Sequence, residues 1–162
     1  MAYFVRKATS SDLPRIGEIY QAARQFMADH GNPNQWGTTN PPMSQLIQDI
    51  QQGDLYVIVD DQSIHGVFYF FIGTDPTYAS IDGEWHADTP YGTIHRIAGD
   101  GSGGILKTAV EFGRSKIDHL RIDTHKDNKI MQKAVTKYGF RRCGIIRIAD
   151  GSPRIAYDRL EE

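Results

Sequence analysis

Cysteine is almost absent from this 162-residue chain. Cys143 stands alone, so no disulfide can close within the chain and no zinc site can be built on cysteine pairs. Packing must supply the stability. An excess of one charge is missing too, because 18 Lys and Arg face 20 Asp and Glu for a formal net charge of -2. That balance leaves no electrostatic footprint for DNA, RNA or an anionic membrane surface, and nucleic acid is not expected as a partner. Long apolar runs are also lacking. None approaches the ~20 residues that span a bilayer, and Met1-Ala2-Tyr3-Phe4-Val5-Arg6-Lys7 meets charge before a signal h-region could form. The expectation is a cytoplasmic protein without membrane attachment. No linker, repeat or change of composition divides residues 1–162, which are expected to form one domain.

Glycine, by contrast, is concentrated in one place. Ile94 to Ala98 reads as a short apolar strand, and Gly99, Gly101, Gly103 and Gly104 follow at once. Ile105, Leu106, Ala109, Val110 and Phe112 then continue as an amphipathic helix. Glycine turns the chain tightly and puts no side chain between backbone and ligand, so successive N–H groups and the positive helix end can face a diphosphate. A phosphorylated ligand is expected.

Around this loop the pattern is regular. Residues 2–8 read as a strand, Thr9 and Asp12 have capping-box spacing, and Leu13, Ile16, Ile19, Tyr20 and Ala23 predict a helix to about Met27. Residues 30–43, rich in Pro, Gly and Asn and holding Trp36, read as an irregular loop. Residues 44–52 predict a short helix, and 55–59 with 67–72 an antiparallel hairpin. The stretch 73–92 is irregular again. Strand 94–98, the helix after the glycines and strand 119–123 form a right-handed βαβ crossover. Asp127 or Asn128 can cap a last helix through Tyr138, before a terminal strand pair at 140–148 and 154–157.

The glycine loop can be compared with three patterns. Gly99-x-Gly101-x-x-Gly104, with Asp123 about twenty residues on, matches the NAD fingerprint. Only one crossover surrounds it, however, and an antiparallel pair ends the chain, which argues against a dinucleotide fold. A Walker A motif fails because Ile105 and Leu106 follow Gly104. Third, the glycines could simply make a tight strand-to-helix turn.

The order of elements, with Val5-Arg6-Lys7-Ala8-Thr9-x-x-Asp12-Leu13-Pro14 at the front, Arg96-Ile97-Ala98 entering the glycines and Asp127-Asn128 followed by Lys137-Tyr138-Gly139-Phe140, resembles the GNAT superfamily of acetyl-CoA-dependent N-acetyltransferases over nearly the whole chain. The resemblance implies a three-layer α/β (α+β) sandwich around a mixed, mostly antiparallel sheet with one central βαβ crossover. It implies acetyl-CoA as cosubstrate: the strand end at Ile97 and Ala98 meets pantetheine, amides of Gly101, Ser102, Gly103, Gly104 and Ile105 receive the pyrophosphate, and Asn128 touches the pantetheine arm. The family loop usually carries an Arg or Gln that is absent here between Gly99 and Ile105. The resemblance also admits a homodimer.

Acetyl transfer requires the amine as free base, so a proton acceptor is needed. His95 on the strand is the first candidate, since members of the resembled superfamily use a His or Glu there. His125 is the second. A backbone N–H near Ile97 or Ala98 could face the developing oxyanion. The family's usual acid is a Tyr seven residues after the helix-start Asn, but that position is Val135, leaving Tyr138 or water for the role. Asn34, Gln35, Trp36, Glu84, Trp85, His86 and Tyr91 form an aromatic and acidic set suited to a small-molecule or peptide amine. His119 and His125 lack zinc-ligand spacing, so no metal is expected. A non-catalytic acyl-CoA-binding module is the alternative, favoured by Val135 and by the loop without Arg or Gln.

Overall fold

A computed structural model describes residues 2–161. Strand β1 (Phe4–Lys7) leads into a single 3-10 turn, Ser10–Asp12, where the Asp12 carboxylate accepts from the Thr9 amide at 2.8 Å as the capping spacing predicts. Helix α1 (Leu13–Asp29) follows with Ile16, Ile19 and Tyr20 buried along one face. Helix α2 (Met43–Gln52) stops at Gly53, whose φ of 76° suits the left-handed C-terminal position. Next come β2 (Leu55–Val59), β3 (Ile64–Ile72), β4 (Asp82–Gly83), β5 (Gly92–Gly99), α3 (Ile105–Arg114), β6 (His119–Thr124), α4 (Lys129–Lys137), β7 (Arg141–Arg147) and β8 (Pro153–Leu160).

Three of the differences from the sequence pattern have a clear local reason. β3 begins at Ile64 because Asp60 accepts from the amides of Gln62 and Ser63, both at 2.8 Å, and tightens the hairpin turn. β4 is only two residues, Asp82 and Gly83, held by pairing with Ile145 and Gly144; no alternation can mark so short a strand. β8 continues past Tyr157 through a buried Asp158, an acid tolerated inside because His86 and His119 hydrogen-bond to it.

The eight strands form one sheet of order β1-β2-β3-β5-β6-β8-β7-β4. Every pairing is antiparallel except β5 with β6, the pair bridged by α3. Alternation along the strands sends Ile58, Phe68, Ile94 and Leu120 to one face, with Ala109 and Val110 of α3 and Val135 of α4. Val57 and Val67 face the other way, against Ile16, Ile19 and Tyr20 of α1 and Leu46 of α2. The result is a three-layer, mostly antiparallel α/β sandwich. A third cluster, Tyr78, Tyr91, Ile146 and Ala156, seats the 73–91 segment on the C-terminal half of the sheet. No helix among the described residues is long and apolar enough to cross a membrane.

Candidate active site

The two parallel strands part almost at once. β5 and β6 are paired only at Gly92 with Leu120 and Thr93 with Arg121. Beyond them β5 is distorted: its register with β3 shifts between Val67 and Tyr69, and Arg96 adopts φ 51°. A non-glycine residue there costs about 1–2 kcal/mol, so other contacts must hold it. The Arg96 guanidinium pairs with buried Asp49 of α2 at 2.9 Å and lies 4.5 Å from the Tyr69 ring centroid, while the Tyr20 hydroxyl donates to the Arg96 carbonyl at 2.6 Å.

The opening forms a cavity of about 760 Å³. Tyr69, His95, Asp123 and Arg154 line it from four neighbouring strands, and Gln35 and Trp36 from the loop after α1. Asp75 and Thr77 close another side, and Asn128 and Met131 of α4 lie at the crossover. His95 sits between two carboxylates, with Nε2 at 2.7 Å from Asp75 and Nδ1 at 3.7 Å from Asp123. Asp75 is itself positioned, because its amide donates to the Tyr91 hydroxyl at 2.7 Å. The Tyr78 hydroxyl donates to Asp123 at 2.6 Å. Burial works to raise the Asp75 carboxyl, yet hydrogen bonds from His95 and Thr77 outweigh it and bring the group down to about 2.

Asp158 follows the same logic: burial opposes ionisation, but bonds from His119 and His86 hold its carboxyl well below the ordinary value. Both acids titrate lower in the fold than in the unfolded chain. Their stabilisation is complete above the ordinary value near 3.8 and is lost as pH falls toward the folded values. Urea midpoints should therefore stay level from about pH 7 to about pH 4 and drop steeply below. A midpoint level down to about pH 2 would remove these carboxylates from the account.

The glycine loop closes on itself at one end and stays open at the other. Gly99 leaves room for Ile105, whose side chain would lie 2.7 Å from an added Cβ. The Ser102 amide, expected among the free donors, is committed to the Asp100 carboxylate at 3.0 Å. Among the described residues, the amides of Gly103, Gly104, Ile105, Leu106 and Lys107 have no partner, and they converge on the start of α3. Such a set fits a pyrophosphate. Lys107, which belongs to no motif, lines a smaller cavity of about 410 Å³ with Gly103 and Gly104 and supplies a cation near the loop. Gly103→Asp, at φ 88°, should raise the dissociation constant for CoA more than about tenfold through lost access and charge repulsion, with Gly103→Ala as the backbone control. Titration calorimetry reads it, and an unchanged constant for the Asp variant would detach the loop from the anion.

The structure gathers some of the sequence candidates and disperses others. His95, Ile97, Asn128, Gln35 and Trp36 line the cavity together. Ala98 turns its side chain into the core beside α1. His125 does not line the cavity, and its Nδ1 accepts from the Asp127 amide at 3.0 Å, a turn-capping use. Tyr138 ends α4 against the core, away from the cavity. Asn34 and Glu84 are exposed and outside it. Trp85 and Tyr91 instead clamp the Arg121 guanidinium at 3.9 and 3.8 Å. His86 joins Asp158 and Cys143 in a group whose ligand-type atoms lie within 4.8 Å of one another, a proximity that the sequence spacing of these residues hides. Their atoms are spent on one another: His86 bonds to Asp158 and lies 3.3 Å from the Cys143 sulfur, and burial beside Asp158 pushes that thiol up to about 12. Asp75, Tyr69, Arg154 and Asp49 carry no motif and emerge only in three dimensions.

No family model matches the chain, and no curated protein matches it. Solved structures do. A GNAT-family acetyltransferase from Streptococcus agalactiae superposes with a TM-score of 0.86 at 28% identity, covering 99% of this chain and 96% of its own. The ribosomal-protein-alanine N-acetyltransferase of Brucella melitensis gives 0.64 at 17%, covering 98% of this chain and 99% of its own. N-acetylglutamate synthase from Neisseria gonorrhoeae, solved with coenzyme A and N-acetyl-glutamate, gives 0.61 at 15%, and this chain matches 36% of its length. With the parted β5 and β6, the open amide loop and the likeness to the streptococcal acetyltransferase, the chain belongs to the GNAT superfamily of acetyltransferases.

Proposed function

We propose that this protein is an N-acetyltransferase that moves an acetyl group from acetyl-CoA directly to a primary amine of a small molecule or peptide. The observation that carries this is His95, held by Asp75 on the cavity wall where β5 and β6 separate. The free amides from Gly103 to Lys107 fit the pyrophosphate, and the unpaired edge of β5 fits an amide-bearing arm. Acetyl-CoA supplies an activated thioester carbonyl.

The chain's own residues do the rest. When Nε2–H of His95 donates to Asp75, Nδ1 keeps its lone pair and takes a proton from the ammonium, which Asp123 attracts. The free amine then forms the C–N bond as the C–S bond breaks; the acylated nitrogen gives up its second proton to the departing thiolate, directly or through water, and the proton first taken by His95 passes to solvent. Backbone N–H groups at the β5 distortion face the charge that develops on the carbonyl oxygen. A non-catalytic acyl-CoA-binding module is the second reading, favoured by Val135, which is fully buried and offers no acid.

Thiol release separates the two. Incubation with acetyl-CoA and a broad amine panel should liberate free CoA and an acetylated amine in equal amounts. Binding of CoA with no turnover across the panel would leave only the module.

A further inference from the structure

One cation in the cavity, Arg154, has no carboxylate in direct contact among the described residues, although Asp123 and Asp150 attract it from farther off. Arg154 opens β8, is 6% exposed and still lines the cavity. Its guanidinium donates to two neutral carbonyls, Pro153 at 2.8 Å and Gln35 at 3.3 Å, and no carboxylate is paired with it among the described residues. Elsewhere the half-buried Arg96 pairs with Asp49, and the buried Arg121 lies between two aromatic rings. A buried guanidinium bonded only to neutral carbonyls is incompletely compensated, so a site that keeps one is suited to an anion that arrives with the ligand.

Its place in the sheet says where that anion would lie. Asp123 of β6 pairs in register with Ala156 of β8, and Arg154, two residues along, shares that residue's face. His95, Asp123 and Arg154 therefore succeed one another across adjacent strands as a proton acceptor, a site for an ammonium and a site for an anion. Neighbouring strands lie about 4.8 Å apart, a step comparable with the reach from amine to carboxylate in an amino acid. Gln35 fixes the far end, since its carbonyl accepts from Arg154 while its side-chain oxygen accepts from Asn128 at 3.0 Å. A planar guanidinium matches a carboxylate with two parallel N–H···O bonds.

We propose that the acceptor amine also carries a carboxylate, as an amino acid or a close analogue does, and that Arg154 binds that carboxylate. This rests on the acetyltransferase reading. The test compares amino acids with their methyl esters, amides and decarboxylated amines in the CoA-release assay, for the wild type, Arg154→Lys and Arg154→Met. The wild type should favour the free acids, and Arg154→Met should raise KM for the acids on the order of 10- to 100-fold while KM for acetyl-CoA holds. Arg154→Lys should recover part of the preference. Calorimetric binding of CoA shows that each variant is folded. Esters or decarboxylated amines used as well as the acids by the wild type, or an acid preference that survives Arg154→Met, would overturn the proposal and leave acetyl transfer standing. CoA bound but never released as thiol with any of these amines would overturn both.

Discussion

His95→Gln should lower kcat by about 10²- to 10⁴-fold near neutral pH, the usual worth of a positioned acid–base group, while the affinity for CoA changes little. Glutamine keeps a donor that can reach Asp75 but offers no basic nitrogen toward Asp123. The pH profile should be more telling than the single rate. Without the imidazole the reaction depends on amine that is already free in solution, so the deficit should be largest at low pH and shrink as alkaline buffer deprotonates the acceptor. Initial rates from about pH 6 to about pH 10 at saturating acetyl-CoA measure it. Unchanged kinetics would end the base assignment, and a constant deficit across the range would make His95 a positioning residue.

Asp49→Ala should be the most damaging substitution away from the cavity. It leaves the Arg96 guanidinium without its carboxylate and removes the acceptor of Gln45 at 2.9 Å. Breaking a buried ion pair costs about 3–5 kcal/mol; Arg96 reaches solvent in part, so about 2–4 kcal/mol is expected here. For a chain of this size that is a fall in Tm of about 4–15 °C. The loss should reach function as well, since the distorted backbone at Arg96 keeps β5 away from β6. Thermal unfolding of Asp49→Ala beside Asp49→Asn checks it: the amide keeps part of the hydrogen bonding and should fall between. A Tm within about 1 °C of the parent would show that the strained backbone does not rely on this pair.

Much of the architecture is legible in the residues because burial imposes periodicity. Ile16, Ile19 and Tyr20 mark α1, and the switch from the Ile94 strand through glycines to Ile105 and Leu106 marks the crossover. The short β4 is not legible, because two residues have no period. The site divides the same way. His95, Asn128 and the loop glycines sit beside recognisable spacing. Asp75 and Arg154 come from segments far apart in the chain, one irregular and one at a strand start, and only the sheet order places them around one cavity. Trp85 and Tyr91 mislead for a related reason: aromatic composition shows that something is covered without showing what, and here it is Arg121.

Gln35 ties the walls of this chamber together. A single side-chain oxygen receives Asn32, Asn128 and, at 3.4 Å, Thr124, while the same residue's main chain receives Arg154. The loop after α1, strand β6, the start of α4 and strand β8 thus meet on one residue, so the cavity wall at Gln35 is a shared junction and a displacement there is felt by Asn128 and Arg154 together.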